Sequence, residues 1–137
     1  MPITKQFTVD MIDQPGTLGT FCRALADRGV NILAFSSFPL SGKSTVRFVV
    51  DNPTTAKTAM DGLGTTYTET QVAQVKLQHR PGELARAASR LGEASINIDY
   101  VYGGVELGTN VPLLIFGVAD VTKAASILDE VAAKAAA

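Results

Sequence analysis

The sequence predicts a duplicated α+β fold, two repeats of about 65 residues that each run strand, helix, strand, strand, helix. Three observations carry this. Gln14-Pro15-Gly16-Thr17-Leu18 returns as Arg80-Pro81-Gly82-Glu83-Leu84, and the step from Pro15 to Pro81 is 66 residues. Val30-Asn31-Ile32 returns as Ile96-Asn97-Ile98 at the same step, and Leu25 falls on Leu91. Separate matches in one ungapped register, with compatible patterning between them, are hard to obtain by chance.

Each repeat opens on a short alternating run, Lys5–Asp10 and Ala73–Gln78, which the two-residue period marks as strands. Pro-Gly breaks each strand and starts a helix, proline suiting the first turn. Leu18, Phe21, Cys22 and Leu25 recur at helical spacing, as do Leu84, Ala87, Ala88 and Leu91, giving one apolar face per helix. Gly29 ends the first helix. Second strands are expected at Val30–Phe38 and Ile96–Tyr102. Glycines turn the chain into third strands at Thr45–Asp51 and Val111–Val118, followed by helices near Thr54–Leu63 and Val121–Ala135.

Thr66–Thr70 supplies a closing strand for the first repeat only, and Thr65–Gln78 reads as one long extended segment. The second repeat ends in an alanine-rich run of high helix propensity and lacks its own last strand. A βαββαβ order with helices on one sheet face is the ferredoxin-like plan, with the fourth strand beside the first. The expected domains are residues 1–70 and 71–137. The missing strand leaves the Ala73–Gln78 edge open, which suggests a homodimer or higher homo-oligomer paired along it.

The chain has 137 residues, 46% hydrophobic and 18% charged, a globular composition. Twelve Lys and Arg against 13 Asp and Glu leave a formal net charge of −1, which offers no general attraction to nucleic acid or an anionic membrane. Cys22 is the only cysteine, so no intrachain disulfide forms, and its place on the apolar helix face suggests a buried thiol. The N-terminal residues lack signal-peptide character and no apolar run is long enough to span a bilayer, so a soluble cytoplasmic protein is expected.

Candidate chemistry is sparse. Ser41-Gly42-Lys43-Ser44-Thr45 ends like a phosphate-binding loop, but Ser37 stands where the first glycine belongs and no helix follows. A polar hairpin turn is the better reading. Gly103-Gly104-Val105-Glu106-Leu107-Gly108 has the wrong spacing for a dinucleotide loop and reads as a flexible hairpin or ligand-covering loop. His79 is the only histidine and has no partner for a metal site or a catalytic pair. Arg47 and Phe48 fall on opposite faces of a strand, which argues against an RNA-binding sheet. No enzyme activity, cofactor or metal is expected.

The two strand–helix loops are the better lead. Asp13-Gln14-Pro15-Gly16 and His79-Arg80-Pro81-Gly82 each lead into a helix whose first N–H groups lack intrahelical partners and suit an anion. Asn31 and Asn97 open the second strands and bring an amide donor and acceptor each. A single Pro-Gly turn usually marks only a turn, and an Asn near a helix end usually only caps it. Two copies of the same set favour ligand binding.

Asp13-Gln14-Pro15-Gly16-Thr17-Leu18 followed by Arg28-Gly29-Val30-Asn31-Ile32 resembles an ACT domain, a small regulatory module that senses amino acids. His79 to Leu84 with Ile96-Asn97-Ile98 repeats the resemblance, which covers nearly the whole chain and implies a stand-alone tandem ACT protein with no attached enzyme. In such domains the ligand sits where two modules pack side by side. The loop after the first strand and the Asn of the Val-Asn-Ile segment hold its amino and carboxylate groups. The resemblance therefore implies a ligand at Asp13, Gln14, Gly16 and Asn31, and at His79, Arg80, Gly82 and Asn97. Asp13 against His79 makes the two loops electrostatically different, so they need not share a ligand. Two functions follow: a small-molecule sensor, most simply for a free amino acid, or a ligand-free subunit that docks on a metabolic enzyme.

Overall fold

The computed structural model describes residues 3–104 and 112–136. Its elements are β1 (Ile3–Ile12), α1 (Thr17–Asp27), β2 (Ile32–Leu40), β3 (Lys43–Val50), α2 (Pro53–Gly62), β4 (Tyr67–Lys76), α3 (Glu83–Glu93), β5 (Tyr100–Gly104), β6 (Leu113–Gly117) and α4 (Val121–Ala136). No strand follows α4 among the described residues. The α+β, ferredoxin-like class is therefore as the element spacing predicts. No helix among the described residues is long and apolar enough to cross a membrane.

The chain divides into two compact units, one of Lys5–Thr70 and one that joins residues 3–4 to those from Gln71 onward. In the first, the strand order is β2-β3-β1-β4, so the closing strand lies beside the first. β3 pairs antiparallel with β1, Phe7 opposite Phe48 and Val9 opposite Val46, and with β2 through the two-residue Ser41-Gly42 turn. Phe7, Val9, Val46, Phe48 and Val50 point to one face and pack under Phe21 and Leu25 of α1 and Ala56, Ala59 and Met60 of α2. Phe48 meets Phe7 and Phe21 at ring-centroid distances of 5.6 and 5.5 Å. α2 starts cleanly because Asn52 caps Thr55 N at 3.1 Å and Pro53 occupies the first turn. Cys22 is half-buried against this core rather than fully enclosed, and burial pushes its thiol pKa up.

In the second unit the order is β4-β6-β5, with β6 antiparallel to both neighbours, Val75 opposite Leu114 and Val101 opposite Phe116. Val75, Leu77, Phe116, Ala87, Leu91, Ala124, Leu128 and Val131 form the core beneath α3 and α4. Ile3 packs against this core.

β4 is hydrogen-bonded to β6 on one side and to β1 on the other, where the Lys5–Glu69 ion pair and the Phe7–Tyr67 ring contact mark β1 against its first half. Two expectations shift. Leu18 and Leu84, expected on the apolar helix faces, are 37% and 48% exposed. β5 starts only at Tyr100, and Asn97 ahead of it donates its Nδ2 to Asp99 Oδ1 at 3.0 Å. The expected loop at Gly103–Gly108 and the start of the third strand at Val111 lie largely outside the described residues.

Candidate functional site

The two Pro-Gly loops fold alike, bond for bond. Gln14 N donates to Ile12 O as Arg80 N donates to Gln78 O, at 3.0 and 3.1 Å. Thr17 N reaches Gln14 O and Glu83 N reaches Arg80 O, both at 3.4 Å. Thr20 N and Arg86 N close the first turns on Gly16 O and Gly82 O at 3.0 and 2.9 Å. Gly16 and Gly82 act as N-caps with φ of +89° and +93°, backbone that only glycine adopts without strain. Neither helix has a side-chain cap at this end, so the first-turn N–H groups not taken by these carbonyls lack a side-chain acceptor.

In the first unit this loop borders an open cleft of about 880 Å³. Gln14, Pro15, Gly16, Thr17 and Thr20 form one wall; Thr8 to Met11 of β1 form the floor; Leu63 to Thr68 form the far wall. Its size falls in the range of small-molecule sites. Lys43 lines it because the β1–β3 register sets Lys43 opposite Ile12, beside the loop. Asp10 lines it too, its Oδ1 accepting from Thr45 Oγ1 at 2.8 Å. The first turn of α1 carries no acidic residue, so its positive end is not neutralised from within the helix. Tyr67, also on the wall, donates its hydroxyl to Asp61 Oδ1 at 3.2 Å, and burial followed by that carboxylate raises its pKa.

The structure brings together only part of the residue set proposed from the sequence. Gln14 and Gly16 line the cleft. Asp13 is not on the cleft lining and accepts from Ser44 Oγ at 3.1 Å. Asn31 lies beyond the other end of α1, about 16 Å from the loop by the rise of an 11-residue helix. There its backbone N–H and its Nδ2 donate to the Asp51 carboxylate at 3.0 and 2.9 Å, which lowers the Asp51 pKa. Asn97 is likewise distant from its own loop and engaged with Asp99.

In the second unit His79, Arg80 and Gly82 line a smaller hollow of about 290 Å³ with Glu83, Leu84, Gly104 and Pro112. Sequence reading missed Lys43, Asp10 and the Gly64-Thr65-Thr66-Tyr67-Thr68 wall. The run of hydroxyls before β4 was the available signal, and Lys43 was hidden by its resemblance to a failed phosphate loop. Arg47 lies over the Phe38 ring at 5.3 Å while Phe48 is buried, so this strand presents no aromatic, basic face to a nucleic acid. No group of three or more His, Cys, Asp or Glu that could hold a metal occurs among the described residues.

Fold and cleft together define a ferredoxin-like α+β module with a solvent-open pocket at its first strand–helix turn. An ACT domain is found at residues 5–61, the stretch that includes this turn. Among solved structures, the chain is similar to a protein from Bacteroides thetaiotaomicron, with a TM-score of 0.85 and 22% identity over 94% of this chain and 88% of that one. It is also similar to the ligand-free regulatory subunit of aspartate kinase from Thermus thermophilus, with a TM-score of 0.65 and 15% identity over 95% and 93% of the two chains. The corresponding subunit from Thermus flavus gives 0.63 and 16% over 96% and 93%. These are likenesses of fold. No curated protein matches the sequence.

Proposed function

We propose that this protein is a regulatory module that binds a free amino acid in the cleft beside Gly16. The observation that carries the reading is the uncapped N-terminus of α1 opening on that cleft. That end and Lys43 suit a carboxylate, and the hydroxyl-rich wall can accept from an ammonium. The threonine-lined wall leaves room for a polar side chain. The ACT domain at residues 5–61 supports a sensing role, and the likeness to aspartate kinase regulatory subunits supports a regulatory one.

The repeated loop hydrogen bonds support reading residues 71–137 as a second ACT-like repeat beside 1–70. Self-association is part of the proposal, through β2 as well as the Ala73–Gln78 edge, since β2 ends its sheet and carries the exposed Leu33, Phe35, Phe38 and Leu40. Screening the twenty amino acids by thermal shift tests the function. A ligand at about 100 times its dissociation constant stabilises the fold by roughly 2.7 kcal/mol. If none moves the melting temperature or gives calorimetric heat at millimolar concentration, a ligand-free subunit docking on an enzyme replaces this reading.

A further inference from the structure

The second loop has the same backbone as the first but already contains a carboxylate. Glu83 occupies the position of Thr17 at the 66-residue step, Arg80 that of Gln14 and Arg86 that of Thr20. The Glu83 side chain is only 10% exposed and both its oxygens are engaged. Arg80 Nε donates to Oε1 at 2.9 Å and Arg86 Nη2 to Oε2 at 3.1 Å. Arg86 Nη2 also donates to the Val131 carbonyl at 3.1 Å, which ties the cluster to α4. Arg86 Nε is buried with no acceptor among the described residues, so the cluster has donor capacity beyond what Glu83 uses.

We propose that Glu83 is a built-in counter-ion that masks an anion-binding site formed by Arg80 and Arg86 at the start of α3, closing the second loop to carboxylate or phosphate ligands. An incoming anion would have to separate Glu83 from two guanidinium groups. It would then sit beside an uncompensated, largely buried carboxylate, a like-charge arrangement that disfavours both. Arg80 and Glu83 both line the hollow of about 290 Å³ at this loop, so their ion pair stands on its wall. The first loop has Thr17 in place of the carboxylate and stays open. On the functional reading above, ligand therefore binds at one loop and not at its duplicate.

The test is amide NMR of the full chain titrated with inorganic phosphate at fixed ionic strength and pH 7. In the native protein the Gly82 to Ala85 amides should stay still. In Glu83→Gln, which keeps shape and removes charge, they should shift saturably, with apparent affinity raised at least tenfold. Native amides that respond as strongly as the variant's overturn the proposal. So does a folded variant that does not respond, and so does a variant that unfolds, because Glu83 would then be a structural strut. Thr17→Glu is the second variant, since a carboxylate in an exposed first helical turn is well tolerated. It should abolish any native phosphate response of the Gly16 to Thr20 amides, and persistence of that response counts against the proposal. If the native first loop ignores phosphate and every amino acid, the functional reading of that cleft fails. The Glu83→Gln result, read only on Gly82 to Ala85, decides the masking claim independently.

Discussion

Replacing Gly16 by alanine separates backbone geometry from packing, because a Cβ there would meet no atom within 4 Å. The whole effect must come from φ +89°, which a side chain disfavours by about 1–3 kcal/mol. Alanine also restricts the unfolded chain, which returns about 0.4–1 kcal/mol. The net loss is then about 1–2 kcal/mol, roughly 3–10 °C in melting temperature for a chain of this length. Gly82→Ala is the internal control, with φ +93° and the same open space, and should lose a similar amount. Urea titrations with unchanged m-values measure both. Ligand affinity should fall only in Gly16→Ala, whose loop borders the open cleft. Two neutral substitutions, or a clear loss at one loop and none at the other, would refute the argument that both helices start from the same left-handed glycine.

Asn31→Ala removes the Nδ2 hydrogen bond to Asp51 and keeps the backbone one, so it should lower the melting temperature slightly and let the Asp51 pKa rise, while ligand affinity measured by calorimetry stays unchanged. The Arg80 hydrogen bond, with help from Arg86, holds the Glu83 carboxyl below its usual range, so its contribution is present above about pH 4.5 and is lost as pH falls through the lowered value. Acid unfolding of Glu83→Gln should accordingly be shallower than that of the native chain. Gly103→Ala should be severely destabilising, because its Cβ would strike the Leu113 carbonyl oxygen across the β5–β6 pair at φ +154°, whereas Gly104→Ala meets open space and should be mild. Thermal melts of the two variants compare them directly.

What the sequence made legible was local. Pro-Gly at a strand end, a helical apolar stripe at Phe21 and Leu25, and the alanine-rich tail each act over a few residues, and each produced the expected element. The 66-residue step carried the loop geometry as well, since Gly16 and Gly82 need no distant partner to take up the same turn. The features that escaped depend on residues far apart in the chain. Ile3 covers the second core from the other terminus, and Asn31 finds Asp51 twenty positions away through the β2–β3 pairing. Lys43 reaches the cleft only because of its register opposite Ile12. The setting of Glu83 depends on Arg80 of the preceding loop and Arg86 of the next helical turn converging on it. Each Asn stands an 11-residue helix away from its own loop, so Asn and loop do not meet within one unit.

The central claim is that the cleft beside Gly16 receives a small zwitterion. Amide NMR of the native chain against each amino acid tests it most directly, because every wall of the cleft reports separately. The account predicts that one of them produces saturable shifts in Gly16, Thr17, Lys43 and Thr65 to Thr68, leaves Gly82 to Ala85 unmoved, and loses affinity in Lys43→Ala and Gly16→Ala. Saturable shifts centred instead on Gly82 to Ala85, or at Asn31 with the cleft silent, would contradict it.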